Sequence, residues 1–406
     1  MLQFDLWKQE GLPDTAMMLQ KTPGADLPVQ RPVLVASLAI ALLLVLATWR
    51  EGTTRSTEAV LLGLVAGVAL YHASFGFTGA WRQLAVEARS DGLRAQFLLI
   101  LLTCAVSFPL LEGGDVFGRT LHGAVAPFGV SAALGALLFG VGMQFSGSCA
   151  SGTLFTAGGG NTRMIATLAG FILGSVVATA HMPFWWSLPA FRAYSLVDEF
   201  GAIGAFAFTA LALGAIAMLA MRRELRRYGH LEEAVWTGGL LRGPWPKTWG
   251  AIALAVVSIL TLVTLTHPWG ITSAFALWGA KIANGIGVPV ETWPYWSGQA
   301  HRIEASVFAD ATSVMNFGIV AGAFLAASLA GRFAPHLRIT GKALLLSICG
   351  GLLMGYGARL AYGCNIGAYI GGVISGSLHG WGWLVFGFAG SLAGIRIRSR
   401  IAGGTV

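Results

Sequence analysis

Residues 135–152 read GALLFGVGMQFSGSCASG, and residues 350–367 read GGLLMGYGARLAYGCNIG. At a constant offset of 215 positions, Gly135 falls on Gly350, Gly140 on Gly355, Gly142 on Gly357, Cys149 on Cys364 and Gly152 on Gly367. Further along, GFILG (170–174) resembles GSLAG (390–394) after a five-residue insertion. An apolar, glycine-studded element that recurs with its cysteine in place reads as a duplicated transporter, whose substrate site lies between the repeats near mid-membrane. The repeat alone leaves open whether the halves are parallel or inverted.

Composition agrees. Of 406 residues, 55% are apolar and 11% charged, against roughly 25% charged in an average soluble domain. So few charges cannot cover a water-soluble surface, and a disordered chain would not be this apolar. The chain reads as an all-α integral membrane protein. Its net charge of +8 is assigned to topology-setting loops rather than to nucleic acid.

A span needs about 20 mostly apolar residues. Stretches free of Asp, Glu, Lys and Arg run over 32–49, 59–81, 95–111, 120–162, 164–191, 200–221, 248–280, 311–331, 343–358 and 360–395. Three of them, 120–162, 248–280 and 360–395, are too long for one pass. Their glycines favour broken elements, giving eight to ten crossings plus short re-entrant pieces. The division is a surface tail over 1–31, a first membrane half over 32–227, a polar linker over 228–247 and a second half over 248–406. The tail contains acids and lacks a basic start followed by an apolar core, so it does not read as a signal peptide. The basic loop with Arg222, Arg223, Arg226 and Arg227, the segment Arg332–Lys342 and the tail with Arg396, Arg398 and Arg400 are placed in the cytoplasm. The side of the N-terminus is undecided.

Four cysteines are present, none in a CxxC pair. Cys104 (LLTCAVS) and Cys349 (LSICGGL) read as small core hydrophobes. Cys149 and Cys364 differ: each follows a small residue, Ser148 or Gly363, and each has a glycine three positions on, Gly152 or Gly367. That pattern, with Gly147 upstream, describes a helix interrupted at the thiol. Irregular backbone at membrane depth is tolerated only where protein buries it or a polar cavity takes it up. Glycine N–H groups at helix starts suit an anion, and Ser146, Ser148, Ser151 and Asn365 add neutral donors. Thiols favour a soft, polarisable atom such as sulfur or selenium, so the pattern points to a soft anion rather than phosphate.

In these stretches, GVGMQFSGSCASGTLFTAGGGNTR, LAGFILGS, GYGARLAYGCNIGAYIGG with SLHGWGW, and FTGAWRQL (77–84), the sequence resembles the YeeE/YedE family of bacterial inner-membrane sulfur transporters. The likeness runs from about residue 58 onward, and its second half looks most like the YedE branch. The resemblance implies uptake of thiosulfate or a related reduced sulfur anion into the cytoplasm. It also implies inverted halves whose short helices dip to an hourglass-like central constriction, and a substrate path along three cysteines. Two of these fall on Cys149 and Cys364. The third position is Gly76 here, which makes a selenium compound or another sulfur species the alternative substrate. The resemblance further implies a cytoplasmic sulfur-carrier partner of the TusA type, with none fused to this chain. No cofactor or metal is expected.

Other residues divide between two readings. Arg82, Arg163 and Arg359 either attract a dianion or snorkel to headgroups, with Arg82 and Arg359 the better candidates for attraction. Asn161 and Thr162 suit a helix cap. His72 and His379 are either core histidines or proton relays. Glu304 and Asp310 read as surface carboxylates, and Trp293 and Trp296 as interfacial. A membrane thiol–disulfide oxidoreductase would need a resolving thiol and a redox partner site, and an uncoupled channel fits the repeat as well as a transporter does.

Overall fold

The computed structural model describes residues 27–232, 236, 238–335 and 337–401. Most of the tail expected over 1–31, part of the linker and the last residues of the chain lie outside them. The described chain is helical apart from a two-residue hairpin, β1 (Asp115–Val116) and β2 (Arg119–Thr120). In order the helices are α1 (Arg31–Glu51), α2 (Thr54–His72), the short α3 (Phe77–Arg82) and α4 (Asp91–Gly113). There follow α5 (Val130–Ser146), the short α6 (Ala150–Gly158), α7 (Arg163–Trp186) and the long α8 (Leu196–Tyr228). The later part holds α9 (Lys247–Leu265), α10 (Thr272–Gly285), the short α11 (Ala300–Glu304), α12 (Ala311–Leu329) and α13 (Gly341–Leu360). A π-helical segment Asn365–Ile370 then runs into the single turn Gly371–Val373, and α14 (Leu378–Ile401) closes the described chain.

Nine helical stretches among the described residues are long and apolar enough to cross a membrane, within the range expected from sequence. The protein is a multi-pass membrane protein. The three overlong apolar stretches are each broken: 120–162 into a loop, α5 and α6; 248–280 into α9 and the start of α10; 360–395 into the 365–373 segment and most of α14. α1 and α8 bury little of their surface and expose Leu42, Leu43, Ile203 and Leu211, as side chains facing lipid do.

The most extensive helix packing joins early helices to late ones: α7 with α13, α2 with α12, and α5 with both α13 and α14. Glycines set these crossings. A Cβ added at Gly142 would lie 2.6 Å from the Gly350 carbonyl oxygen, and one added at Gly350 would lie 2.6 Å from that of Gly142. Seven residues earlier in α5 and seven later in α13, a Cβ on Gly135 would meet the Gly357 oxygen at 2.7 Å. The two helices therefore run antiparallel with backbones in contact. Small residues permit such approach where lipid offers no hydrophobic drive for association. Gly140 of α5 abuts Gly387 and Ser391 of α14, while Gly355 of α13 abuts Phe171 and Ser175 of α7. Three of the four glycine pairs of the repeat thus serve helix crossings. The 215-residue spacing also holds between the starts of α7 and α14, so the helix bounds need no five-residue insertion.

The water-facing ends are tied by polar contacts. Glu224 near the end of α8 is buried and accepts from the Ser90 backbone at 2.9 Å, from Arg89 at 3.4 Å and from the Glu232 backbone at 2.9 Å. Arg223 and Arg227 donate to Ala85 and Val86 carbonyls of the π turn Gln83–Glu87 that follows α3. Asp310 accepts from Ser313 at the start of α12 and pairs with Arg302 at 2.8 Å, while Glu304 is exposed. Both carboxylates thus have structural or surface roles. Trp296 is buried, with its indole donating to Thr179 at 3.1 Å. Trp293 is half-buried.

Replacing Gly142 with leucine forces α5 and α13 apart and is expected to cost about 3 kcal/mol or more, seen as a lower melting temperature of purified protein. Gly214 in α8 faces open space, so Gly214→Leu should leave that temperature within the error of the measurement.

Candidate functional site

α5 ends because Gly147 turns left-handed at φ 78°, a conformation that carries no penalty without a Cβ. The freed groups are taken up locally. Gly147 N–H donates to Met143 at 3.0 Å, Ser146 Oγ donates to the Ser148 carbonyl at 2.9 Å, and Arg398 reaches from α14 to the Gln144 carbonyl at 2.6 Å. Cys149 then stands extended as the N-cap of α6, its Sγ accepting from Gly152 N–H at 3.4 Å beside Ser151 Oγ at 3.4 Å. A Cβ on Gly152 would come within 3.3 Å of that sulfur and nearer still to Ser148 Oγ. Glycine at 152 is what lets the thiol meet the helix start.

The second break repeats the arrangement. α13 ends at Leu360, Tyr362 and Gly363 take positive φ of 61° and 153°, and Cys364 stands extended as the N-cap of Asn365–Ile370. Its sulfur faces the N–H groups of Ile366 and Gly367 without closing a cap bond. Trp383 of α14 holds the Gly363 carbonyl at 3.3 Å. Cys149 and Cys364 are each 1% exposed. Neither faces lipid.

A third short helix, α3, begins the same way. Gly76 is its extended N-cap, and a Cβ there would meet nothing within 4 Å. Phe77 and Trp81 of α3 lie 6.4 and 6.3 Å from the Tyr369 ring, which stacks on Trp383 at 6.2 Å. α3 therefore packs against the segment that Cys364 begins.

Several buried polar groups there have no hydrogen-bond partner: both amide atoms of Asn365, the Tyr369 hydroxyl, the Trp269 indole N–H and Arg359 Nε. In a protein interior such groups are normally satisfied. Spacing identified Asn365. Tyr369 and Trp383 lie within the stretches GCNIGAYIGG and SLHGWGW that carry the resemblance but were not singled out there, and Trp269 lies outside them.

The remaining candidates separate. Arg82 closes α3 with Glu87 as its charged neighbour. Among the described residues Arg359 has only neutral partners, Tyr295 at 3.1 Å and Thr272 at 2.8 Å. Arg163 and Arg398 both reach the Gly147 turn. Asn161 Oδ1 accepts from Arg163 N–H at 3.2 Å, a cap contact, whereas Thr162 makes no side-chain cap bond. His379 contacts Ser377 at 2.7 Å, and His72 packs under the Gly243–Trp245 turn with Nε2 unpartnered. Cys104 is fully buried with its thiol directed at the Val373 carbonyl, 3.9 Å away, and Cys349 is half-buried.

Residues 72–393 match the family described as sulphur transport. The chain is similar to the probable transporter YedE of Escherichia coli, 30% identical over 152 residues, which are 37% of each protein. The chain thus spans little more than a third of the length of that relative. It is also similar to the thiosulfate transporter TsuA of Escherichia coli, 24% identical over 80% of this chain and 89% of that one. To TsuA of Spirochaeta thermophila it is 25% identical over 79% of this chain and 92% of that one.

The open space at Gly76 and its ordinary φ of −117° mean that Gly76→Cys should leave the melting temperature unchanged. Gly363→Ala, at φ 153° and with its Cβ 3.0 Å from the Ala368 nitrogen, should lower it by several degrees.

Proposed function

The chain belongs to the sulphur-transport family, and from that premise we propose that it carries thiosulfate or a related reduced sulfur anion into the cytoplasm along a path formed by Cys149 and Cys364. The observation that carries this reading is the pairing of two buried thiols, each at the start of a short helical segment, beside an Asn365 amide with no partner. A helix start presents unsatisfied N–H groups to negative charge. A thiol beside it donates weakly to a terminal sulfur without ionising. The anion would pass from one thiol to the other, with Gly147, Ser148 and Gly152 shaping one station and Gly363, Asn365 and Gly367 the other. At Gly76 the third helix start offers backbone and open space in place of a thiol. A bulkier selenium or sulfur anion is the alternative cargo, favoured by that space.

In the proposed architecture the halves 32–227 and 248–406, joined by 228–247, are inverted copies about a two-fold axis in the membrane plane. Reciprocity supports it. Gly135 meets Gly357 and Gly142 meets Gly350, while the repeat equates Gly135 with Gly350 and Gly142 with Gly357. Such exchange is what a two-fold contact produces, and antiparallel spanning helices put that axis in the plane. In this reading α6 and the 365–373 segment are the re-entrant pieces that narrow the path from opposite sides. The protein works as a transporter and not as an enzyme, in a bacterial inner membrane with a cytoplasmic C-terminus, and delivers sulfur to a TusA-like carrier.

A strain that cannot make reduced sulfur should grow on thiosulfate when it carries this protein. Cys149→Ala or Cys364→Ala should reduce uptake at least tenfold with normal membrane levels, and Cys104→Ala should not. Normal uptake by both core variants would overturn the thiol path.

A further inference from the structure

Arg359 lies in the last turn of α13, five residues before Cys364, and is 8% exposed. Its Nη1 donates to Tyr295 Oη at 3.1 Å and its Nη2 to Thr272 Oγ1 at 2.8 Å, and Nε has no acceptor. Among the described residues no carboxylate forms an ion pair with it. A guanidinium buried among neutral groups is unfavourable unless an opposite charge is supplied. The partial negative charge at the end of α13 offsets only a small part of that cost.

The surroundings lead to the thiol. Thr272 ends the stretch Pro268–Thr272, which lies across the Cys364 segment. Gly367 faces Gly270 and Trp269, and Gly371 faces Pro268. Around this stretch three buried N–H donors lack acceptors: Arg359 Nε, Asn365 Nδ2 and Trp269 Nε1. Donors without acceptors are what an anion requires. The other half supplies a control. At the position equivalent to Arg359 it has Gln144, whose amide is satisfied by the Thr78 carbonyl at 3.3 Å and Ser391 Oγ at 2.7 Å. The repeat therefore folds with a neutral amide at this site, and the charge at 359 serves something else.

We infer that Arg359 selects the charge of the transported solute on the Cys364 side: an entering anion becomes its counter-ion and replaces the contact to Tyr295. Tyr295 is suited to be displaced. It sits in the loop between α10 and α11, half-buried and stacked on Trp186 at 6.2 Å, so it holds the guanidinium without neutralising it. The inference rests on the transport reading and adds the group that gives it anion specificity.

The test uses the full chain purified in detergent and in proteoliposomes, with thiosulfate, sulfate and selenite as probes at one ionic strength. Arg359→Gln copies the residue of the other half. It should weaken binding, or raise KM, at least tenfold for whichever anion the wild type takes, with the anion-free melting temperature unchanged or higher. Arg359→Lys should recover part of the loss, and Tyr295→Phe should keep KM at or below the wild-type value. Wild-type affinity in Arg359→Gln, or a lowered melting temperature with unaltered affinity, overturns the inference. So does an Arg359-dependent stabilisation by phosphatidylglycerol alone, which would mark a lipid-headgroup site. Binding of sulfate or selenite but not thiosulfate would defeat the thiosulfate reading while still testing Arg359. No binding of any probe by the wild type would overturn both.

Discussion

The architecture depends on bare backbone meeting bare backbone between α5 and α13. Lipid tails are as apolar as leucine, so the pair gains nothing from hiding hydrocarbon and must gain from close contact. Gly135, Gly142, Gly350 and Gly357 give that contact, and no side chain with a Cβ could replace them without parting the helices. The crossing fixes the two helices against each other. It thereby places the Gly147–Cys149 and Tyr362–Cys364 turns, each at the end of one member of the pair.

Breaking a helix inside a membrane frees backbone groups that cost several kcal/mol each if left bare. At the first turn nearly all are met within the chain, by Ser146, Arg398 and the Cys149 thiol itself. At the second the backbone is met as well, with Trp383 on the Gly363 carbonyl, but the side chains around it are not. Asn365, Tyr369, Trp269 and Arg359 all retain an unpartnered polar atom. Unpartnered polar atoms remain beside both turns, Arg163 Nη1 at the first among them.

The repeat, the broken helices and the two thiols were legible from Gly135–Gly152 and Gly350–Gly367, because glycine and cysteine at fixed spacing report backbone geometry directly. The breaks in 120–162 and 360–395 fall within the same residues. What escaped was set by distant partners. Trp296 is buried with a hydrogen bond to Thr179, more than a hundred positions away. Arg359 looks like any other intramembrane arginine until its bond to the Tyr295 hydroxyl, 64 positions away, is visible. Tyr369 and Trp383 are ordinary aromatic residues until their stacking beside Gly363 is visible.

Interlocked glycines also restrict how the molecule moves. A seam lined by long side chains can slip as rotamers change, but one made of peptide planes has no such slack, and sliding by even one residue would drive Leu138 or Leu353 into the opposing chain. Sliding of one helix along the other is therefore blocked all along this seam.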